Sequence, residues 1–245
     1  MSLFLTNHIL HLADTTLILS QRNAAWCGHG PILEQDIAIT NISLDLLGQS
    51  RSYYQYAAAL IGNGATEDSL AYLRPERSFK NLLLAEQPNG DWGQTILRQY
   101  LFSQFQYLLL EQMQQHPDER LAAIAAKSIK ETAYHVRWSS EWVIRLGDGT
   151  EESHQRIKKA LDTLWPYTGE MFMAADYETG NHTNVSDLQT PWEDRVQKIL
   201  NEATLPWPAG GFMHTGGKQG SHTEQLGYVL AELQYLQRAY PGCEW

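Results

Sequence analysis

Glu131-Thr132-Ala133-Tyr134-His135 lies within a stretch, from Pro117 to the turn at Gly147, whose apolar residues recur every three or four positions. That spacing predicts one long amphipathic helix. The five residues nearly reproduce Glu-x-x-His, the motif with which helical bundles bind paired iron, but the histidine stands one place late. A four-residue offset still puts carboxylate and imidazole on one helical face. Leu121, Ile124, Ser128, Glu131, His135, Trp138 and Trp142 alternate steps of three and four and define an inward stripe. Tyr134 falls at its edge, beside the charged row Lys127, Lys130, Arg137 and Glu141, so Glu131 and His135 are the residues expected inside.

The same periodicity runs outward in both directions, with hardly any alternating β-rich segment, which predicts an all-α protein. A helix is expected over about 6–21, then a Gly-rich turn at Trp26 to Pro31, then a long helix from Ile32 to about Ile61 that Gly62-Asn63-Gly64 stops. A shorter amphipathic piece spans about Glu67 to Glu86. Pro88-Asn89-Gly90 resets the chain for a helix over about Asp91 to Gln115. Pro117 is placed as the first residue of the motif helix, and Gly147-Asp148-Gly149 closes it. Thr150 caps a helix reaching about Tyr177, with Glu151 and Glu152 in the first turn where the dipole favours them. After a loop from Gly180 to Thr190, helices are expected near Trp192 to Ala203 and from about Ser221 to Tyr240, separated by a Gly- and Pro-rich stretch. No fixed-period repeat or linker divides the chain, so one domain is expected over 1–245, with a core bundle at about 6–147 and additional packed helices at about 150–240.

At 245 residues the chain can bury a large core without staples. A formal charge of -10 opposes binding to nucleic acid or an anionic membrane, and no apolar run reaches the roughly 18 residues that span a bilayer. Two cysteines, Cys27 and Cys243, and no secretory pattern before Asn7 suggest a reducing cytoplasm and no disulfide. The aromatic cluster Tyr53-Tyr54-Gln55-Tyr56 is expected to pack or dock.

A two-metal carboxylate site needs about four carboxylates and two histidines, supplied by both halves of a bundle. Asp14 sits among Leu10, His11, Leu17 and Ile18 and is expected to be buried. Asp45 lies on a polar row with Glu34, Asn41, Gln49 and Ser52, which is more simply a wet face than a bundle interior. Gly48 stands at the third place after Asp45, so that helix brings no imidazole. A further helix offers only Glu111 near its end, since Gln104 and Gln106 are neutral. The inventory therefore disfavours a working di-iron site. His8, His11, Cys27 and His29 match no zinc spacing. Gly216-Gly217-Lys218 could offer amides and an ammonium to a phosphate, but lacks the upstream glycine and strand of a P-loop.

Trp26-Cys27-Gly28-His29, Leu44-Asp45-Leu46-Leu47-Gly48-Gln49, Asn81-Leu82-Leu83-Leu84, Glu86-Gln87-Pro88-Asn89-Gly90 and Lys130-Glu131 with Tyr134-His135 resemble the C-subunit (PaaC) family of bacterial phenylacetyl-CoA epoxidases. The resemblance continues through Asn201-Glu202-Ala203-Thr204, Thr215-Gly216-Gly217-Lys218, His222-Thr223-Glu224, and Ala231-Glu232 with Gln234 to Arg238, covering nearly the whole chain. It implies a ferritin-like four-helix bundle with additional C-terminal helices, acting as a non-catalytic structural subunit of an O2- and NADPH-dependent ring epoxidase in phenylacetate catabolism. The implied partner is the related catalytic A subunit, which holds the di-iron centre, with FAD and an iron-sulfur cluster in the reductase and no cofactor in this chain. Asp45 and Gly48 then take the places of one Glu-x-x-His, and Glu131 and Tyr134 those of the other, so Asp14, Asp45, Gly48, Glu131, Tyr134 and His135 are vestigial metal-site positions. The alternative is an oxygenase in its own right, with one or two irons on Glu131, His135, Asp45 and Asp14. Gly216, Gly217 and Lys218 are a candidate contact for coenzyme A or a partner, and a homodimer is a possible state of the isolated chain.

Overall fold

The computed structural model describes residues 3–243, and every regular element among them is helical. Helix α1 spans Leu3–Ala24 and α2 Leu33–Ile61. Asn63 and its flanking glycines all take positive φ, which ends α2 where the sequence predicts. The expected single piece over 67–86 is instead α3 (Glu67–Tyr72), a 3₁₀ turn (Glu76–Ser78) and the short α4 (Leu83–Glu86). Pro75 precedes the turn in extended conformation and lacks the N–H that a continuous helix needs.

Asp91 caps α5 (Trp92–Met113), its side chain accepting from the Gln94 N–H at 3.0 Å. Asp118, and not Pro117, organises the start of α6 (Glu119–Gly147): one carboxylate oxygen accepts from the amides of Arg120 and Leu121. Thr150 caps α7 (Glu151–Leu164), which stops well short of Tyr177. Pro166 interrupts the ladder there, and two 3₁₀ turns, Trp165–Tyr167 and Gly169–Phe172, lead to the four-residue α8, Asp176–Thr179. The expected loop at 180–190 contains a 3₁₀ turn, Val185–Leu188, running into α9 (Gln189–Glu202). After a 3₁₀ turn at Gly217–Gln219, the last helix is broken at Gln234 into α10 (Glu224–Leu233) and α11 (Tyr235–Ala239).

The chain packs as two compact units. Residues 3–88, 175–181 and 215–243 form one, and 89–174 with 182–214 form the other, so the helices expected as C-terminal additions are shared between them. In the first unit α1 and α2 lie antiparallel. Ser20 and Ser43 each donate to the other's carbonyl at 2.8 Å, and nearer the other end Ser50 donates to the Ala13 carbonyl at 3.0 Å. These small hydroxyls satisfy themselves on backbone oxygens and let the helices approach closely. Helix α1 is buried on every side from His8 to Ser20, around Ile9, Ala13, Ile18 and Leu19.

In the second unit α5 and α6 form the corresponding antiparallel pair, with Trp92 meeting Trp138 and Trp142 edge-on at about 6 Å. The Thr132 hydroxyl reaches Gln106 Oε1 at 3.4 Å. Trp192 of α9 is buried and donates from its indole N–H to the Leu101 carbonyl at 3.0 Å. Gly147 is required where α6 meets the end of α9, because a Cβ there would sit 2.2 Å from the Ala203 carbonyl oxygen. Each unit thus supplies one pair of long antiparallel helices, the inventory of a ferritin-like fold.

Candidate functional site

The buried face of α6 runs through Leu121, Ala125, Ser128, Thr132, His135 and Ser139. It is turned by about 50° from the predicted stripe, with which it shares Leu121, Ser128, His135 and the buried Trp138. His135 is fully buried as expected, but Thr132 occupies the centre and Glu131 is only half-buried at the border. A half-buried carboxylate keeps part of its hydration, so it lacks the desolvation cost expected of an interior one. Tyr134, standing where the motif wants imidazole, is exposed, and the Arg137 guanidinium lies 5.7 Å from its ring centre. On α2, Asp45 is half-buried, whereas Gly48 faces open space with no atom within 4 Å of a Cβ built on it.

Asp14 is buried on α1 as predicted, and its carboxylate is occupied. Tyr54 donates its hydroxyl to Oδ1 at 2.6 Å, the Lys80 amide donates to Oδ2 at 2.8 Å, and Arg74 donates to both oxygens. The guanidinium is sandwiched further by the Phe79 ring, 4.3 Å from its centre, and by the Ser78 carbonyl. Burial alone would lower the Arg74 pKa, but the adjacent Asp14 charge and hydrogen bonds outweigh it and the net shift is upward. Burial, followed by the same carboxylate, pushes the Tyr54 hydroxyl well above its ordinary value. This is a closed ion pair with its hydrogen bonds filled.

These residues do not fit a di-iron centre. Gly48 carries no donor, the Tyr134 hydroxyl is on an exposed side chain, and Asp14 already meets a guanidinium. Glu111, the remaining candidate carboxylate, is exposed and lies 3.7 Å from Arg195. Among the described residues no three His, Cys, Asp or Glu side chains converge in a way that could hold a metal ion. His8 and His11 are buried while Cys27 and His29 are exposed, so that set is not gathered either.

The chemistry-bearing residues that do come together form two further buried clusters in the first unit. Lys218, read from sequence as a possible anion contact, is 1 % exposed and donates to both oxygens of Glu178 at 3.1 and 2.9 Å. Its carbonyl accepts from the Tyr177 hydroxyl at 3.0 Å, and Glu178 also takes the Ala175 amide at 2.7 Å. His11 Nδ1 donates to the Lys80 carbonyl at 2.7 Å, leaving Nε2 facing Glu178 at 3.7 Å. Burial, reinforced by the Lys218 charge, pushes the His11 pKa down to about 3, so the imidazole is neutral. The second cluster joins Glu86 of α4 to His222, Thr223 and Asn81. Sequence reasoning missed Arg74, Glu86, Glu178 and His222 as partners. Glu86 and His222 stood inside the strings that carry the family resemblance, but nothing local signals that the side chain of a Glu before Gln-Pro or of a His before Thr is fully buried.

A model of the family described as phenylacetic acid catabolic protein matches residues 3–245. The chain is also similar to the C subunit of the 1,2-phenylacetyl-CoA epoxidase of Escherichia coli (strain K12), with 48% identity over 246 residues, 98% of this chain and 99% of that protein.

Proposed function

The chain belongs to the phenylacetic acid catabolic protein family, and from that premise we propose that it is a non-catalytic, structural subunit of a multicomponent phenylacetyl-CoA epoxidase. Its partner is a related subunit that carries the di-iron centre, and reducing equivalents reach that partner from NADPH through a flavin and iron-sulfur reductase.

The observation that carries this reading is the fate of the ligand positions: an exposed tyrosine at 134, a side-chain-less residue at 48 and an Asp14 neutralised by Arg74. A ferritin-like oxygenase needs carboxylates with lone pairs available to metal and imidazoles on both helix pairs. Here the buried carboxylates serve as internal anchors for backbone amides, a guanidinium and an ammonium. Lys218 acts in the same way, since its ammonium is committed to Glu178 inside the first unit. The chain's role is then to fold rigidly and to shape the subunit it accompanies.

The experiment is co-expression with the family's catalytic subunit, followed by purification of the complex, iron analysis and turnover. Glu131→Ala should leave turnover per assembled complex within a factor of about two, since a residue that touches neither iron nor substrate contributes no transition-state stabilisation. A complex that assembles normally with this substitution but loses turnover would contradict the structural role.

A further inference from the structure

His222 is the joint through which the C-terminal segment meets the rest of the first unit. Its side chain is fully buried, with Nδ1 2.9 Å from Glu86 Oε2 and Nε2 2.9 Å from the Phe79 carbonyl oxygen. A carboxylate and a carbonyl only accept, so both ring nitrogens must donate, and the pocket fits the imidazolium. Around it, Glu86 Oε1 takes the amide and hydroxyl of Thr223 at 2.7 and 2.8 Å, and Oε2 takes the Asn81 amide at 2.8 Å. Thr223 is the N-cap of α10, and Arg22 of α1 donates at once to the Glu86 carbonyl and to the Gln225 carbonyl in the first turn of α10. One cluster therefore fastens α10 to α4 and α1.

We propose that the His222–Glu86 cluster is a protonation-dependent clasp, locked by the imidazolium, whose deprotonation lets α10 open away from α4 and α1 as a local event, while Gln234 and Arg238 hold α11 separately on the Ala71, Leu73 and Arg74 carbonyls. A neutral ring has one nitrogen without a hydrogen, which then presents a lone pair to Glu86 or to the Phe79 carbonyl in a dry site. The charges that act on the ring are Glu86 from α4 and Asp14 from α1; nearby, Arg22 of α1 is held on the Glu86 carbonyl, Glu76 and Arg77 of the 3₁₀ turn line the same pocket as His222, and Glu224 stands in the first turn of α10. Burial opposes the charged ring, but the Glu86 hydrogen bond and charge, the Phe79 carbonyl and Asp14 outweigh it, and the net pKa is raised. The sign follows: the clasp is fully closed below the ordinary histidine value and weakens as pH rises through the raised one, by up to about tenfold in the opening equilibrium per pH unit. Opening uncovers Leu226, Val229 and Leu230, which are buried in the closed form.

Two readouts on the intact chain test this. Histidine ring NMR follows the His222 titration, while hydrogen exchange gives protection factors for residues 224–233, corrected for the chemical exchange rate. The expected result is a His222 midpoint above the ordinary value and a fall in α10 protection across that titration, with α1 and α2 protection flat. His222→Gln should flatten the pH dependence in α10. Protection in wild-type α10 that stays constant through the ring titration would overturn the clasp without any variant, as would a ring that titrates at or below the ordinary value.

Discussion

Removing the Asp14 carboxylate should unravel more stability than any other single truncation on α1. The carboxylate is fully buried and accepts from Tyr54, from the Lys80 amide and from two nitrogens of Arg74, whose side chain is itself only 13% exposed. Asp14→Ala leaves the guanidinium without its counter-charge in a site that burial makes hostile to it, a change that costs about 3–5 kcal/mol. The orphaned Tyr54 hydroxyl and Lys80 amide would each cost about 1–3 kcal/mol alone, but they share the same cavity and do not add fully. Arg74→Met should cost a similar amount by stranding Asp14. The double variant should cost less than the sum of the two, because no bare charge remains, with a coupling of about 1–3 kcal/mol. Urea unfolding at neutral pH measures all four corners of the cycle. If Asp14→Ala costs less than about 1 kcal/mol, or if the two losses simply add, the closed ion pair is not what holds this part of α1. A metal-ligand role for Asp14 predicts something different: stability insensitive to Arg74 and a loss of bound iron.

Three other outcomes are expected. Gly48→Ala should stabilise the isolated chain by about 0.5–1 kcal/mol, because the position is mid-helix and a Cβ meets nothing, and chemical denaturation checks this. Lys218→Met should destabilise by about 3–5 kcal/mol by leaving Glu178 buried without its cation, whereas a lysine offered to an external anion would be nearly neutral for folding in the same unfolding experiment. His11 is held neutral with a pKa of about 3, so its contribution is complete above the ordinary histidine value and is lost as pH falls from there toward 3. The wild type should therefore lose up to about 1.4 kcal/mol per pH unit more than His11→Gln between pH 6.5 and 4, read from urea midpoints at each pH.

The four long helices were legible because breakers bound them: Gly62-Asn63-Gly64 after α2, Pro88-Asn89-Gly90 before α5, and His116-Pro117 and the 147–149 turn on either side of α6, although Asp118 and not Pro117 caps that helix. The short elements were not. Pro75 and Pro166 break patterns whose apolar spacing looks continuous, and the break at Gln234 coincides with its amide donating to the Ala71 and Arg74 carbonyls, far away in sequence. On α6, steps of three and four can be drawn through Leu121, Ser128 and His135 by way of either Glu131 or Thr132. Periodicity alone does not choose between them, and the choice turns the face by about 50°, half of one residue's step. Burial of Asp14 could be read from its apolar neighbours on α1, but its partner stands sixty residues on in Arg74, in a segment with no regular pattern. Sequence thus located the residues that a metal would need, while only the packing shows that Asp14 is neutralised by a guanidinium.

The most direct test is the location of iron in a co-purified complex of this chain with the family's catalytic subunit, beside the same chain purified alone. The account predicts that the isolated chain folds with no stoichiometric iron and that the complex carries its di-iron in the partner. Stoichiometric iron in the folded isolated chain, together with oxidation of phenylacetyl-CoA without a second oxygenase subunit, would contradict it.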